Sequence, residues 1–217
     1  MSDSSFDFKA FVKESKDVLV TPKTYFPTMK LTGGYAEPLI KAVIYGAVAG
    51  IFSFLWSLLK LGGMTGGIFG GAVGIMLFIW AIVGAILMLF IGAVIILVIS
   101  AICKGSTDFE ANVRVTAAIM VIVPISALIG FVSGLNLIAG SIVNLAVNIF
   151  TLYLLYHALT GALKAKPETT KIVMIVLAAL LVLFLLVGIG AKKRANQFMN
   201  EFNKSDYKEL IEDAQKN

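Results

Sequence analysis

Polar side chains are few within the long apolar stretches of this sequence, and four of them fall into a pattern. Ser141, Asn144, Asn148 and Thr151 recur at helical spacing in the apolar run that starts at Leu137. At 100° per residue they share one face about 80° wide. An amide or hydroxyl surrounded by hydrocarbon must find a partner, so the stripe has two readings. It is hydrogen-bonded glue between helices, or it lines a path for a small solute or ion. His157 falls on the opposite face and reads as an interfacial side chain near the headgroups rather than as a proton relay.

Other chemistry has no comparable grouping. One His, one Cys and two neighbouring acids, Asp108 and Glu110, supply no paired carboxylates, no ligand cluster and no nucleophile with a base. The expectation is a protein without catalytic residues, metal or cofactor. The single Cys103 excludes an internal disulfide, and the glycines at 62–74 lack the Lys-Ser/Thr pair that a phosphate-binding loop needs. A net charge of +5 comes from lysines flanking apolar runs, without the basic patch and interleaved aromatics of a nucleic-acid binder.

The elements that hold these residues follow from composition. With 59% hydrophobic and 14% charged residues and a mean hydropathy of +0.92, 217 residues cannot hide their apolar surface in a water-soluble globule. Helices that satisfy their own backbone groups are the default way to cross hydrocarbon. The expectation is an all-α integral membrane bundle of five transmembrane helices, at about 38–59, 77–103, 112–134, 137–163 and 171–190. It is preceded by an N-terminal segment, 1–37, and followed by a charged tail, 191–217. Lys41 is expected to snorkel to the headgroups and Trp56 to anchor at the interface. Pro124 removes a donor and should kink the third crossing.

Residues 61–103 carry no charge at all and would measure about 64 Å as one helix, twice the hydrocarbon thickness. Within them Gly63, Gly66, Gly67, Gly70, Gly71 and Gly74 follow i, i+3, i+4, i+7, i+8, i+11, a smooth face suited to close helix packing. Residues 61–76 therefore read as a short re-entrant or interfacial helix ahead of the second crossing, with a surface loop or a sixth crossing as alternatives. Counting basic residues near the crossings gives eight on the N-terminal side and six opposite for either five or six crossings. This favours a cytoplasmic N-terminus without settling parity.

Apolar character begins only at position 39, so no signal peptide is expected. Phe8, Phe11, Val12 and Leu19 fall on one helical face, which predicts an amphipathic helix anchored on the membrane surface. "TPK" at 21–23 either ends this helix or begins a new turn with Thr21 as N-cap and Pro22 at N1, and "TDFE" at Thr107–Glu110 has the form of a capping box.

The order "DVLVTPKTYFPTM", "GGYAEPLIKAVIYG", "ICKGSTDFEANVRVTAAIMVIVP" and "LYLLYHALTGALKAKPETTKIVMI" resembles the bacterial branch of the Yip (Ypt-interacting protein) domain family over roughly residues 17–190. Pro22, Tyr25 and Phe26 match its proline-aromatic lead-in. Gly105, Phe109 and Pro124 match its third-crossing pattern, and Lys164 to Lys171 its short basic link. The resemblance implies five crossings, a cytoplasmic N-terminus and the bacterial cytoplasmic (inner) membrane. Eukaryotic members bind Rab GTPases and carry an Asp-Leu-x-Gly-Pro motif that residues 1–40 lack, so that activity is not implied. The functional expectation is a non-enzymatic membrane-organising or partner-binding scaffold, with a channel or transporter as the alternative. Its partners would be the lipid bilayer and a second copy or another membrane or cytoplasmic protein, with no nucleic acid.

Overall fold

In the computed structural model, which describes residues 6–59, 61 and 71–188, the first element is α1, Phe8–Val20. Asp7 caps it by accepting from the backbone N–H of Lys9 at 2.9 Å and Ala10 at 3.1 Å. Pro22 starts α2, Pro22–Tyr25, as an N1 proline should, and a single 3₁₀ turn follows, Phe26–Thr28. The proline-aromatic segment is a plug. Phe26 is fully buried, and it and Pro27 lie 3.0–3.2 Å from where a Cβ on Gly161 would sit, so a larger residue at 161 would have to push this segment back by a few tenths of an ångström.

Then come α3, Ala36–Leu58, α4, Gly71–Ile102, and α5, Phe109–Ile119. Two short helices, α6, Ile122–Ile129, and α7, Phe131–Leu135, continue the same path. They lead to α8, Leu137–His157, which ends in a π-helical turn, Ala158–Ala162. The last is α9, Pro167–Gly188. Among the described residues, five stretches are long and apolar enough to cross a membrane: Ala36–Leu58, Phe78–Ile102, Phe109–Leu135, Ile138–Ala162 and Pro167–Gly188. No strand occurs among the described residues. The architecture is thus the all-α, five-crossing bundle that the composition predicts. Two compact units divide at residue 178; in the second, residues 179–188 are the apolar final turns of α9.

Within the first unit, α5 is central, with every residue from Ala111 to Ile119 buried. Against it and α3 lies one stripe of α4, Ala85, Leu89, Ala93, Ile96 and Ser100, at the 3–4 spacing of a helix face. The matching stripe of α3 is Pro38, Lys41, Ala42, Tyr45, Gly46, Ala49 and Gly50. A Cβ on Gly46 would sit 2.7 Å from Ala85 Cβ, and one on Gly50 2.9 Å from the Phe78 ring. This close packing of α3 on α4 through Gly46-x-x-x-Gly50 was not anticipated, although the pattern is the known signature of tight transmembrane packing.

Pro124 breaks the third crossing as expected. Lacking an N–H at 124, the Met120 carbonyl takes its bond from Val123 at 2.9 Å, and the α5–α6 junction is a turn. Trp56, expected as an interface anchor, is tied to the third crossing: its indole N–H donates to the Ala127 carbonyl at 2.9 Å and its ring packs on Phe131 at 5.0 Å.

Two further expectations need correction. The cap of α5 is Asp108, not Thr107: the Asp108 carboxylate accepts from Ala111 N–H at 2.7 Å. Glu110 turns away from the helix start, because the Gly34 N–H, at 2.6 Å, and Arg114 attract it. Residues 71–76, expected to belong to a separate element, are the first turns of α4, since no proline or charge separates them from the apolar run behind; the crossing itself, Phe78–Ile102, keeps the expected bounds.

The α4–α5 and α8–α9 connections are tied together. Each turns through a lysine in the left-handed region, Lys104 at φ 58° and Lys164 at φ 56°. Ser106 N–H donates to the Leu163 carbonyl at 2.7 Å and Lys166 N–H to the Cys103 carbonyl at 2.9 Å. A Cβ on Gly105 would lie 2.9 Å from both the Leu163 carbonyl oxygen and Ala165 Cβ.

Candidate functional site

Charged side chains at the starts of two apolar helices, α3 and α5, converge with one from α1. Glu37 and Lys41 are one turn apart on α3, as are Glu110 and Arg114 on α5, so each pair meets on its own helix surface. The Lys41 ammonium binds Glu14 of α1 at 2.5 Å and Glu37 at 2.7 Å. The other oxygen of Glu37 accepts from Arg114 Nη1 at 2.9 Å. Arg114 Nε binds Glu110 at 3.2 Å, and Nη2 donates to the Gly34 carbonyl at 2.9 Å. The result is a continuous chain, Glu14–Lys41–Glu37–Arg114–Glu110, that joins three helices and the Gly33–Gly34 turn.

Burial is what gives this chain its weight. The Arg114 and Lys41 side chains are 4% and 11% exposed, so each cation has left water and relies on its carboxylates. Lys41 therefore does not snorkel to the headgroups, as the sequence suggested. Once Glu14 and Glu37 lie within reach, the ammonium is better satisfied inside. Tyr45 extends the link between α1 and α3: its hydroxyl pairs with Ser15 at 2.8 Å and its ring meets Phe11 at 5.2 Å.

Two adjoining cavities open beside the chain. One, about 210 Å³, is lined by Tyr25, Lys30 and Pro38 among others, together with Glu14, Glu37, Lys41 and Arg114. The second, about 290 Å³, shares those charged groups and adds an apolar wall of Phe6, Ala10, Phe11 and Ile40. Lys30 forms no ion pair among the described residues. Burial, reinforced by the nearby Glu14 charge, pushes the Tyr25 phenol above its ordinary range, so it stays a proton donor.

The residues singled out from sequence fare differently. Phe11 is buried against Tyr45, while Phe8 and Val12 remain 61% and 50% exposed and Leu19 is half-buried. The predicted anchor face is thus split between the bundle and the outside. On α8, Asn148 Nδ2 donates to the Asn144 carbonyl at 2.8 Å and to its side-chain oxygen at 2.6 Å. Thr151 donates to the Val147 carbonyl at 2.9 Å, and Ser141 is half-buried. Asn144, Asn148 and Thr151 are bonded along their own helix, and none of the four residues lines either cavity. His157 stacks edge-on between Tyr153 and Tyr156. Of the glycine face, Gly63, Gly66, Gly67 and Gly70 lie outside the described residues, as does the charged tail, while Gly71 and Gly74 belong to the first turns of α4.

The ionic chain was missed in the sequence although its signal was there. Glu37/Lys41 and Glu110/Arg114 are both i,i+4 acid-base pairs at the mouth of an apolar helix, where charges are expected to be paired. Reading Glu110 as a cap and Lys41 as a headgroup contact hid them.

A family model described as the Yip1 domain matches residues 16–189. No curated protein and no solved structure matches the chain.

Proposed function

The chain belongs to the Yip1 domain family, and from that premise we propose that it is a non-enzymatic organiser of the membrane, a scaffold that presents a surface helix to lipid or to a protein partner. That it is an integral membrane protein follows from the family and the five apolar helices. The observation that carries the proposal is α1. Glu14, Ser15 and Phe11 hold it on the bundle, while Phe8, Val12 and Val20 stay exposed along its length. A helix held this firmly with an apolar edge turned outward suits lasting contact with a surface.

The test uses the full chain in liposomes. Rising protein density should shift vesicle size in electron micrographs without releasing trapped dye or potassium. The double variant Phe8→Ser/Val12→Ser should lose about half the effect or more, at unchanged thermal stability. Release above protein-free vesicles that disappears in Asn144→Leu/Asn148→Leu would overturn the scaffold in favour of a solute path along α8.

We further propose that the N-terminus is cytoplasmic, in a bacterial cytoplasmic membrane, which the excess of basic residues on that side supports. Cysteines placed at Ser4 and Ser205 in a Cys103→Ala background should then react with an impermeant thiol reagent from opposite sides. Reaction of both from one side would exclude the five-crossing orientation.

A further inference from the structure

The cavity beside the ionic chain has a cation, Lys30, with no ion-pair partner among the described residues. Lys30 Nζ and Arg114 Nη2 lie 3.4 and 2.9 Å from the point where a side chain on Gly33 would begin, so they are no more than about 6 Å apart. Gly33, at φ 126°, keeps that space open, and a Cβ there would strike the guanidinium. Arg114 has carboxylate partners on two of its nitrogens and a carbonyl on the third, which leaves two of its five N–H groups unspent. Gly33 lines the larger cavity and Tyr25 the smaller one, and Lys30 and Arg114 line both; the Tyr25 hydroxyl has no hydrogen-bond partner among the described residues. Glu14 and Glu37 also face the space, but each is held by Lys41, and Glu37 by Arg114 as well. Apart from the second carboxylate oxygen of Glu14, which Lys41 does not bind, the unmatched groups described above are donors.

We propose that this cavity binds the phosphate group of a membrane phospholipid, held by the Lys30 ammonium, the free N–H groups of Arg114 and the Tyr25 hydroxyl. A phosphate oxygen fits donors of this kind. Lipid is favoured over free phosphate by position. The site lies at the first turns of two membrane-crossing helices, where headgroups sit. The adjoining cavity offers Phe6, Phe11 and Ile40 to the glycerol and upper acyl chains. The inference does not depend on whether the chain reshapes membranes.

The experiment is a thermal-shift titration of the full chain in neutral detergent with phosphatidylglycerol, with diacylglycerol and with inorganic phosphate. Phosphatidylglycerol should raise the melting temperature saturably and diacylglycerol should not. Lys30→Gln, which loses no ion pair and so should melt like the parent without lipid, should need about tenfold more lipid for half the shift. Lys30→Arg should restore the parent curve and Tyr25→Phe should fall between. An equal response of parent and Lys30→Gln to phosphatidylglycerol, or a shift with diacylglycerol as large as with phosphatidylglycerol, would overturn the site. A Lys30-dependent shift with inorganic phosphate alone and none with lipid would overturn the lipid as its occupant.

Discussion

Replacing Arg114 with Gln is expected to cost about 3–5 kcal/mol of stability, because a buried charge network loses the cation that joins its two halves. Glu37 and Glu110 would keep their carboxylates in partly covered positions, with Lys41, on Glu37, as the only cation among the described residues still bonded to either. Arg114→Lys should recover only part of the loss. One ammonium cannot serve Glu110, Glu37 and the Gly34 carbonyl, which the guanidinium reaches through Nε, Nη1 and Nη2. The double variant Arg114→Met/Glu37→Met should be less destabilised than Arg114→Met alone, since it removes a stranded carboxylate with its partner. Unfolding in detergent by heat and by SDS measures all four, and a loss below about 1 kcal/mol for Arg114→Gln would place the chain of ion pairs among ordinary surface bridges.

A comparable loss is expected where α3 meets α4. Gly46→Leu must displace Ala85 Cβ, which a Cβ would approach to 2.7 Å, and the backbone at Ala81 and Ile82, at 3.0 and 3.2 Å. Backbone of a packed helix yields little, so the cost should reach the upper end of overpacking, about 3 kcal/mol. Gly84 is the control: a Cβ there meets nothing within 4 Å, and Gly84→Ala should be neutral or stabilising by up to about 1 kcal/mol. The same unfolding measurement separates them, and equal melting of Gly46→Leu and Gly84→Ala would mean that α3 and α4 do not pack through these glycines.

The crossings were legible because a membrane helix is written in one variable, an uninterrupted apolar run of sufficient length. The break at Pro124 was legible for an equally local reason, a missing donor. What resisted reading was partnership between elements. Glu14, Glu37 and Arg114 come from three separate segments, and spacing along the chain does not reveal that they meet. Only the i,i+4 pairs within α3 and α5 pointed to the cluster. Gly46 and Gly50 went unnoticed beside the denser glycines at 62–74, although two glycines four apart in an apolar helix are the more specific packing signal.

The pairing of Ser106 with Leu163 and of Lys166 with Cys103 bears on the order in which the protein is made. About 60 residues separate the two connections, so at 5–20 residues per second the ribosome needs roughly 3–12 s between emitting one and the other. Throughout that interval Ser106 has no Leu163 carbonyl to bond and Gly105 no second loop to pack against. The α4–α5 hairpin therefore enters the membrane with its end still open, and the turn before α9, nearly the last part of the bundle to be synthesised, is what closes it.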